Sequence, residues 1–191
     1  LIALSAILAL VKVFDLPYGG SITLAGMVPI IVLGYKYGVK WGLFSGFVYS
    51  IVEAVLGATT SQAFAGMYDP ENAAKSIINI VLIAFLDYIV AFTVLGLSGM
   101  FKGKLKNDTA AITLGGAVVV LLRLAAHFIS GFILWGSYAE WFFTDVMNGS
   151  FGQSILQKFS GTGLALIYSL IYNASYMLPN LAVTVVALLA L

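Results

Sequence analysis

Cysteine is absent and histidine occurs once. The first absence excludes disulfides, thiolate nucleophiles and thiolate metal sites, and a lone imidazole cannot build a His-based centre, so no metal site is expected. Charge is scarce as well. Only 9% of residues are Asp, Glu, Lys or Arg, whereas soluble domains carry about a quarter. With a formal net charge of +1 and no basic patch, nucleic acid is not expected as a partner. The chain also lacks a G-x-x-x-x-G-K-[ST] phosphate loop, an H-E-x-x-H pair and a G-x-S-x-G elbow. It therefore reads as non-enzymatic, with no cofactor of its own, and any energy from ATP must come from another polypeptide. An intramembrane serine protease would have to use Ser130 or Ser169 with His127, and neither serine has a recognisable setting.

What fills the chain is apolar: 61% of its 191 residues are hydrophobic and the mean hydropathy is +1.05. These values describe a polytopic, all-α integral membrane protein in a single membrane domain, 1–191. Six transmembrane helices are expected at about 1–14, 23–35, 41–56, 73–101, 110–138 and 164–191. Leu1 lies inside an apolar helix without an initiator methionine, so further residues are expected ahead of it. Ser5 and Ala9 form a small-xxx-small pair suited to close helix approach, within the bundle or against a partner. DLPYGGS, 15–21, reads as a tight loop, and Pro29 falls inside the second predicted helix. Lys36, Lys40, Lys102, Lys104 and Lys106 gather in two connections, which the positive-inside rule puts in the cytoplasm together with both termini. The longest connection, 140–163, starts with the aromatics of EWFF and suits either a covering segment or a plain interfacial anchor.

Within this apolar chain the costly groups fall at related depths. Arg123, His127, Gly131, Trp135 and Tyr138 recur at helical spacing and so share a face. Ionisable groups at membrane depth are unfavourable by roughly 2.5–3.5 kcal/mol each, and normally turn to the protein interior. Asp87 and Tyr88 on the fourth helix, and Tyr168, Tyr172, Asn173 and Tyr176 on the sixth, add acceptors and rings, while Glu53 on the third is a further carboxylate. Such a set suits a small, planar, partly cationic ligand: Trp135 for stacking and cation–π attraction, Asp87 for counter-charge, His127, Tyr168 and Asn173 for directional hydrogen bonds. The same groups could instead serve as structural glue, with an Asp87–Arg123 ion pair buried in the bundle.

LPYGGSITLAGMVPI, LDYIVAF, HFISGFILWGSYA and YSLIYNASYMLPN together resemble the ThiT (YuaJ) family, the thiamin-binding S-components of energy-coupling factor (ECF) transporters, along nearly the whole chain. The resemblance implies a six-helix bundle in the cell membrane with extracellular loops capping a ligand pocket. It also implies high-affinity thiamin capture before docking onto a transmembrane coupling subunit and two ATPase subunits. By motif, Trp135 would stack on the aminopyrimidine, and Asp87, His127, Tyr168 and Asn173 would hydrogen-bond around it. Tyr88 and Arg123 would complete the wall, and Tyr18, Glu53, Gly131, Ser169 and Tyr172 are further candidates. Two departures matter. Some relatives carry glutamate where this chain has Asp87, and some place a tryptophan in the first loop where this chain offers Tyr18. A thiamin precursor or another small vitamin therefore stays open as the ligand, and a passive channel or structural subunit as a different class of function.

Overall fold

The computed structural model describes residues 1–60, 63–69 and 71–191, and the side chain of Tyr18 lies outside this description. Four helices are long and apolar enough to cross a bilayer: α3 Val39–Thr60, α5 Ala73–Phe101, α6 Asp108–Leu134 and α9 Gly161–Leu189. Before them come α1 Ile2–Leu10 and the shorter α2 Val28–Tyr37. Short helices fill the connections: α4 Ala63–Gly66, α7 at 139–146 and α8 Ser150–Lys158. Outward-facing side chains such as Phe44, Val81, Ile133 and Val186 are large, apolar and exposed, as lipid contact requires. The chain is thus an all-α membrane protein apart from one small element.

That element corrects the reading of the first helix, which ends at Leu10 rather than near residue 14. Lys12–Asp15 (β1) and Ser21–Thr23 (β2) pair antiparallel as a hairpin, closed by a bond from the Leu16 N–H to the Gly20 carbonyl at 2.6 Å. The second helix likewise starts at Val28, not residue 23. Pro29 therefore sits in its first turn, where its missing N–H costs nothing, and not in its interior. The predicted 36–40 connection shrinks to Gly38, whose φ of +88° makes the corner between α2 and α3. Side-chain caps set two other starts: Asn72 accepts from the Lys75 N–H and Asn107 from the Ala110 N–H.

Glycine brings the bundle together at one end. A Cβ on Gly96 of α5 would lie 2.1 Å from the Gly42 carbonyl carbon of α3, and one on Gly42 would lie 2.6 Å from the Gly34 Cα of α2. Three backbones therefore touch with no side chain between them. Ser98 closes the seam by donating to the Ile31 carbonyl at 2.7 Å. The two lysine-bearing connections meet at this end, where Lys102 Nζ donates to the Lys36 carbonyl at 2.7 Å. At the other end the helices diverge, and a cavity opens between them.

Candidate functional site

The cavity lies at the end of the bundle away from those lysines, and its walls come from six helices and the hairpin. It holds about 140 Å³, roughly ten times what a single buried water needs, which leaves room for a small organic molecule. Helix α6 contributes Arg123, His127, Gly131 and, at its C-cap, Trp135. From α5 come Asp87, Tyr88 and Phe92, from α9 Tyr168, Tyr172, Asn173, Tyr176 and Asn180, and from α3 Tyr49 and Glu53.

Asp87 owes its position to an irregular backbone. Over Ala84–Val90 helix α5 widens into π-helical turns, and the Ala91 N–H reaches back to the Leu86 carbonyl. Such bulges rotate the residues they contain relative to a regular helix and recur at functional sites. Here the widened stretch carries Asp87 and Tyr88 to the cavity wall.

The polar groups form a chain. Arg123 Nε donates to His127 Nε2 at 3.2 Å. Arginine has no acceptor, so Nε2 must accept and the imidazole proton resides on Nδ1. Nδ1 then donates to Asp87 Oδ1 at 2.8 Å, and the Ser130 hydroxyl donates to Asp87 Oδ2 at 2.5 Å. His127 is neutral in this arrangement. Arg123 orients His127 and lays its guanidinium 4.0 Å from the centre of the Phe92 ring. The Asp87–Arg123 ion pair of the structural reading is not formed among the described residues; the carboxylate pairs with His127 instead.

Aromatic rings line the rest of the wall. Trp135, only 8% exposed, lies 5.4 Å from the ring of Tyr138. Tyr168, Tyr172 and Tyr176 follow one another along α9 with centroids 5.7 and 5.9 Å apart. Phe142 of α7 packs edge-on against Tyr168 and Tyr172 at 5.2 and 5.7 Å, so the connection after α6 folds over this wall. Tyr88 stacks on Phe64 at 5.4 Å and on Phe92 at 6.3 Å.

Other expected residues occupy the wall without facing the cavity in the same way. Asn173 spends both amide hydrogens on the His127 and Ser169 carbonyls, at 3.1 and 2.8 Å, and its Oδ1 accepts from Tyr176 at 2.9 Å. A Cβ on Gly131 would fall 2.4 Å from Ser169 Oγ and 2.8 Å from Asn173 Nδ2, so the bare backbone is what lets α9 approach α6. Ser169 is fully buried behind the wall and donates to the Phe128 carbonyl at 2.6 Å. Tyr138 leaves the stripe. Helix α6 ends at Leu134, a 3₁₀ turn spans Gly136–Tyr138, and the Tyr138 hydroxyl bonds the Gly66 carbonyl at 2.6 Å.

Sequence reasoning did not find the latch between hairpin and α9. Asn180 accepts from the Thr23 N–H at 3.1 Å and donates to the Ser21 carbonyl at 2.8 Å. Tyr172 donates to the Pro17 carbonyl and accepts from the Gly20 N–H at 3.2 Å. These bonds hold the hairpin over the cavity and satisfy backbone groups that have no place unpaired at membrane depth. Asn180 follows Asn173 by two turns on α9, the one sequence signal that could have revealed it.

Comparison with known proteins adds to this geometry. A family model described as "Thiamine transporter protein (Thia_YuaJ)" matches residues 1–159. The chain is 30% identical over 183 residues to the thiamine transporter ThiT of Bacillus subtilis (strain 168), an alignment covering 91% of this chain and 76% of that protein. A thiamine transporter ThiT of Lacticaseibacillus paracasei is 26% identical over 138 residues, covering 65% of this chain and 62% of its own length.

Proposed function

The chain belongs to the thiamine transporter (Thia_YuaJ) family, and from that premise we propose that it is a thiamin-capturing S-component of an ECF-type importer. In this reading it spans the membrane six times, α1 and α2 joining the four long helices. The lysine-bearing end and both termini face the cytoplasm, and the cavity opens to the extracellular side. The capture subunit performs no catalysis. A transmembrane coupling subunit and two ATPase subunits supply the energy for release inward.

The observation that carries the reading is the convergence of Arg123, His127, Asp87 and Trp135 on one cavity, with His127 and the buried Ser130 both donating to Asp87. Thiamin joins an aminopyrimidine, which offers ring nitrogens and an amino group, to a permanently cationic thiazolium. Trp135 supplies the stacking face. Asp87, held by His127 and Ser130, has lone pairs left for the amino group. The His127 Nε2, shared with Arg123 across a long 3.2 Å contact, is the nitrogen that a ligand donor can claim. Tyr168 and Asn173 Oδ1 complete the hydrogen-bonding set, and Tyr88 and Tyr172 form the aromatic sides. The hairpin and α7 act as the cover. A pocket built before the ligand arrives loses less freedom on binding, which favours high affinity.

Trp135→Ala tests the assignment. Removing a desolvated cation–π and stacking partner is expected to weaken thiamin binding about tenfold or more, with folding retained. Thiamin should also quench the tryptophan fluorescence of the parent saturably, and this signal should fall sharply in the variant. Equal affinity in both proteins would remove Trp135 from the site. Binding of the pyrimidine or thiazole half in preference to thiamin would make the protein a precursor-binding subunit.

A further inference from the structure

Glu53 is a cavity-lining carboxylate with which no cation forms a salt bridge among the described residues. It lies in the middle of α3, one turn after Tyr49 and one turn before Gly57, where the Tyr88 hydroxyl packs against the helix. Its Oε1 is buried, yet makes no hydrogen bond among the described residues. No salt bridge reaches it there either: Lys12 is engaged with Asp15 at 2.9 Å, and the other contact between a carboxylate and a basic side chain among the described residues is that of Asp87 with His127. Arg123 also lines the cavity but is taken up by His127 and the Phe92 ring.

The two carboxylates of the cavity thus differ. Asp87 receives donors at both oxygens, so its charge is compensated by the bundle itself. Glu53 has the Tyr49 hydroxyl beside it and otherwise faces the cavity. Lys12 is paired with Asp15, and Arg123 is turned to His127 and the Phe92 ring, so among the described residues no cation contacts Glu53 directly. A buried, incompletely paired carboxylate destabilises a fold, and at membrane depth such a group marks a partner still to come.

We propose that Glu53 is the counter-charge for the cationic ring of the ligand, and that it makes the site select a monocation over a neutral molecule of the same shape. The inference rests on thiamin being the ligand, and it divides the work within the site. Asp87 reads the pyrimidine by hydrogen bonding, whereas Glu53 answers the thiazolium by charge. A ligand carrying added phosphate loses its net positive charge and is disfavoured for the same reason.

The test is a titration of detergent-purified parent, Glu53→Gln and Glu53→Asp with two probes: thiamin, and a neutral isostere in which a thiophene replaces the thiazolium. Glu53→Gln is expected to bind thiamin at least about tenfold more weakly and the isostere within about twofold of the parent. Its unliganded unfolding midpoint should equal or exceed the parent's, because the substitution removes a buried charge. Unchanged thiamin affinity, or equal losses for both probes, would overturn the proposal. If Glu53→Gln fails to fold, Glu53→Asp decides: the retracted carboxylate should lower the ratio of thiamin to isostere affinity, and an unchanged ratio would overturn it. A parent that binds thiamin while Glu53→Gln loses nothing refutes only the role of Glu53. A parent that binds neither probe refutes the thiamin reading, and this inference with it.

Discussion

Replacing Asp87 with alanine is expected to weaken thiamin binding by more than about a hundredfold, the largest loss of any single change in the cavity. The reason is that this carboxylate does two things at once. It is the acceptor that holds the His127 Nδ1–H at 2.8 Å and the Ser130 hydroxyl at 2.5 Å, and in the function proposed above it is also the acceptor offered to the ligand. Removing it leaves two buried donors unanswered, and breaking a buried pair in this way costs about 3–5 kcal/mol. Because that cost falls partly on folding, Asp87→Asn is the sharper variant. Its amide oxygen can still accept from His127, so the bundle should fold with a near-parental unfolding midpoint, while binding still drops because the amide NH2 that replaces the second oxygen cannot accept from the ligand's amino group. If Asp87→Asn bound thiamin as tightly as the parent, the second acceptor of this carboxylate would have no part in recognition.

The second large effect lies far from the cavity. Gly96→Ala is expected to destabilise the bundle by about 3 kcal/mol, at the upper end of overpacking effects. The new methyl would sit 2.1 Å from the Gly42 carbonyl carbon and 2.2 Å from its oxygen. Both atoms are backbone, so neither can turn aside as a side chain would, and α3 must move bodily. Thermal unfolding in detergent measures this. Gly163→Ala in α9 is the control, since its Cβ would meet only the Phe159 ring at an ordinary 3.8 Å. It should match or exceed the parent, because alanine favours a helix over glycine. Equal midpoints for both variants would mean that the seam of glycines does not hold α3 against α5.

The site was more legible in the sequence than the fold around it, for a physical reason. Charged and aromatic residues are rare in an apolar chain, so their spacing stands out. The repeat of Arg123, His127, Gly131 and Trp135 at helical intervals brought all four to the cavity, because α6 is regular over that range. Tyr138 departed only where the helix stopped. The four long helices were legible from length and hydropathy. The hairpin was not: β1 and β2 have four and three residues, too few for an alternating pattern, and their register is held by Asn180 and Tyr172 from the far end of the chain. The π-helical turns over Ala84–Val90 were equally hidden, since no residue type announces an extra residue per turn. Nor could spacing reveal that Asp87 chooses His127 over Arg123. That choice depends on how α5 and α6 are set against each other.

The measurement that bears most directly on the central claim is equilibrium binding of labelled thiamin to this protein purified alone, with no ATPase or coupling subunit present. A capture subunit whose pocket is built within its own bundle should bind thiamin saturably, one molecule per chain. Absence of saturable binding by thiamin and by either of its halves would contradict the account, and leave the charged cavity a structural feature of the bundle.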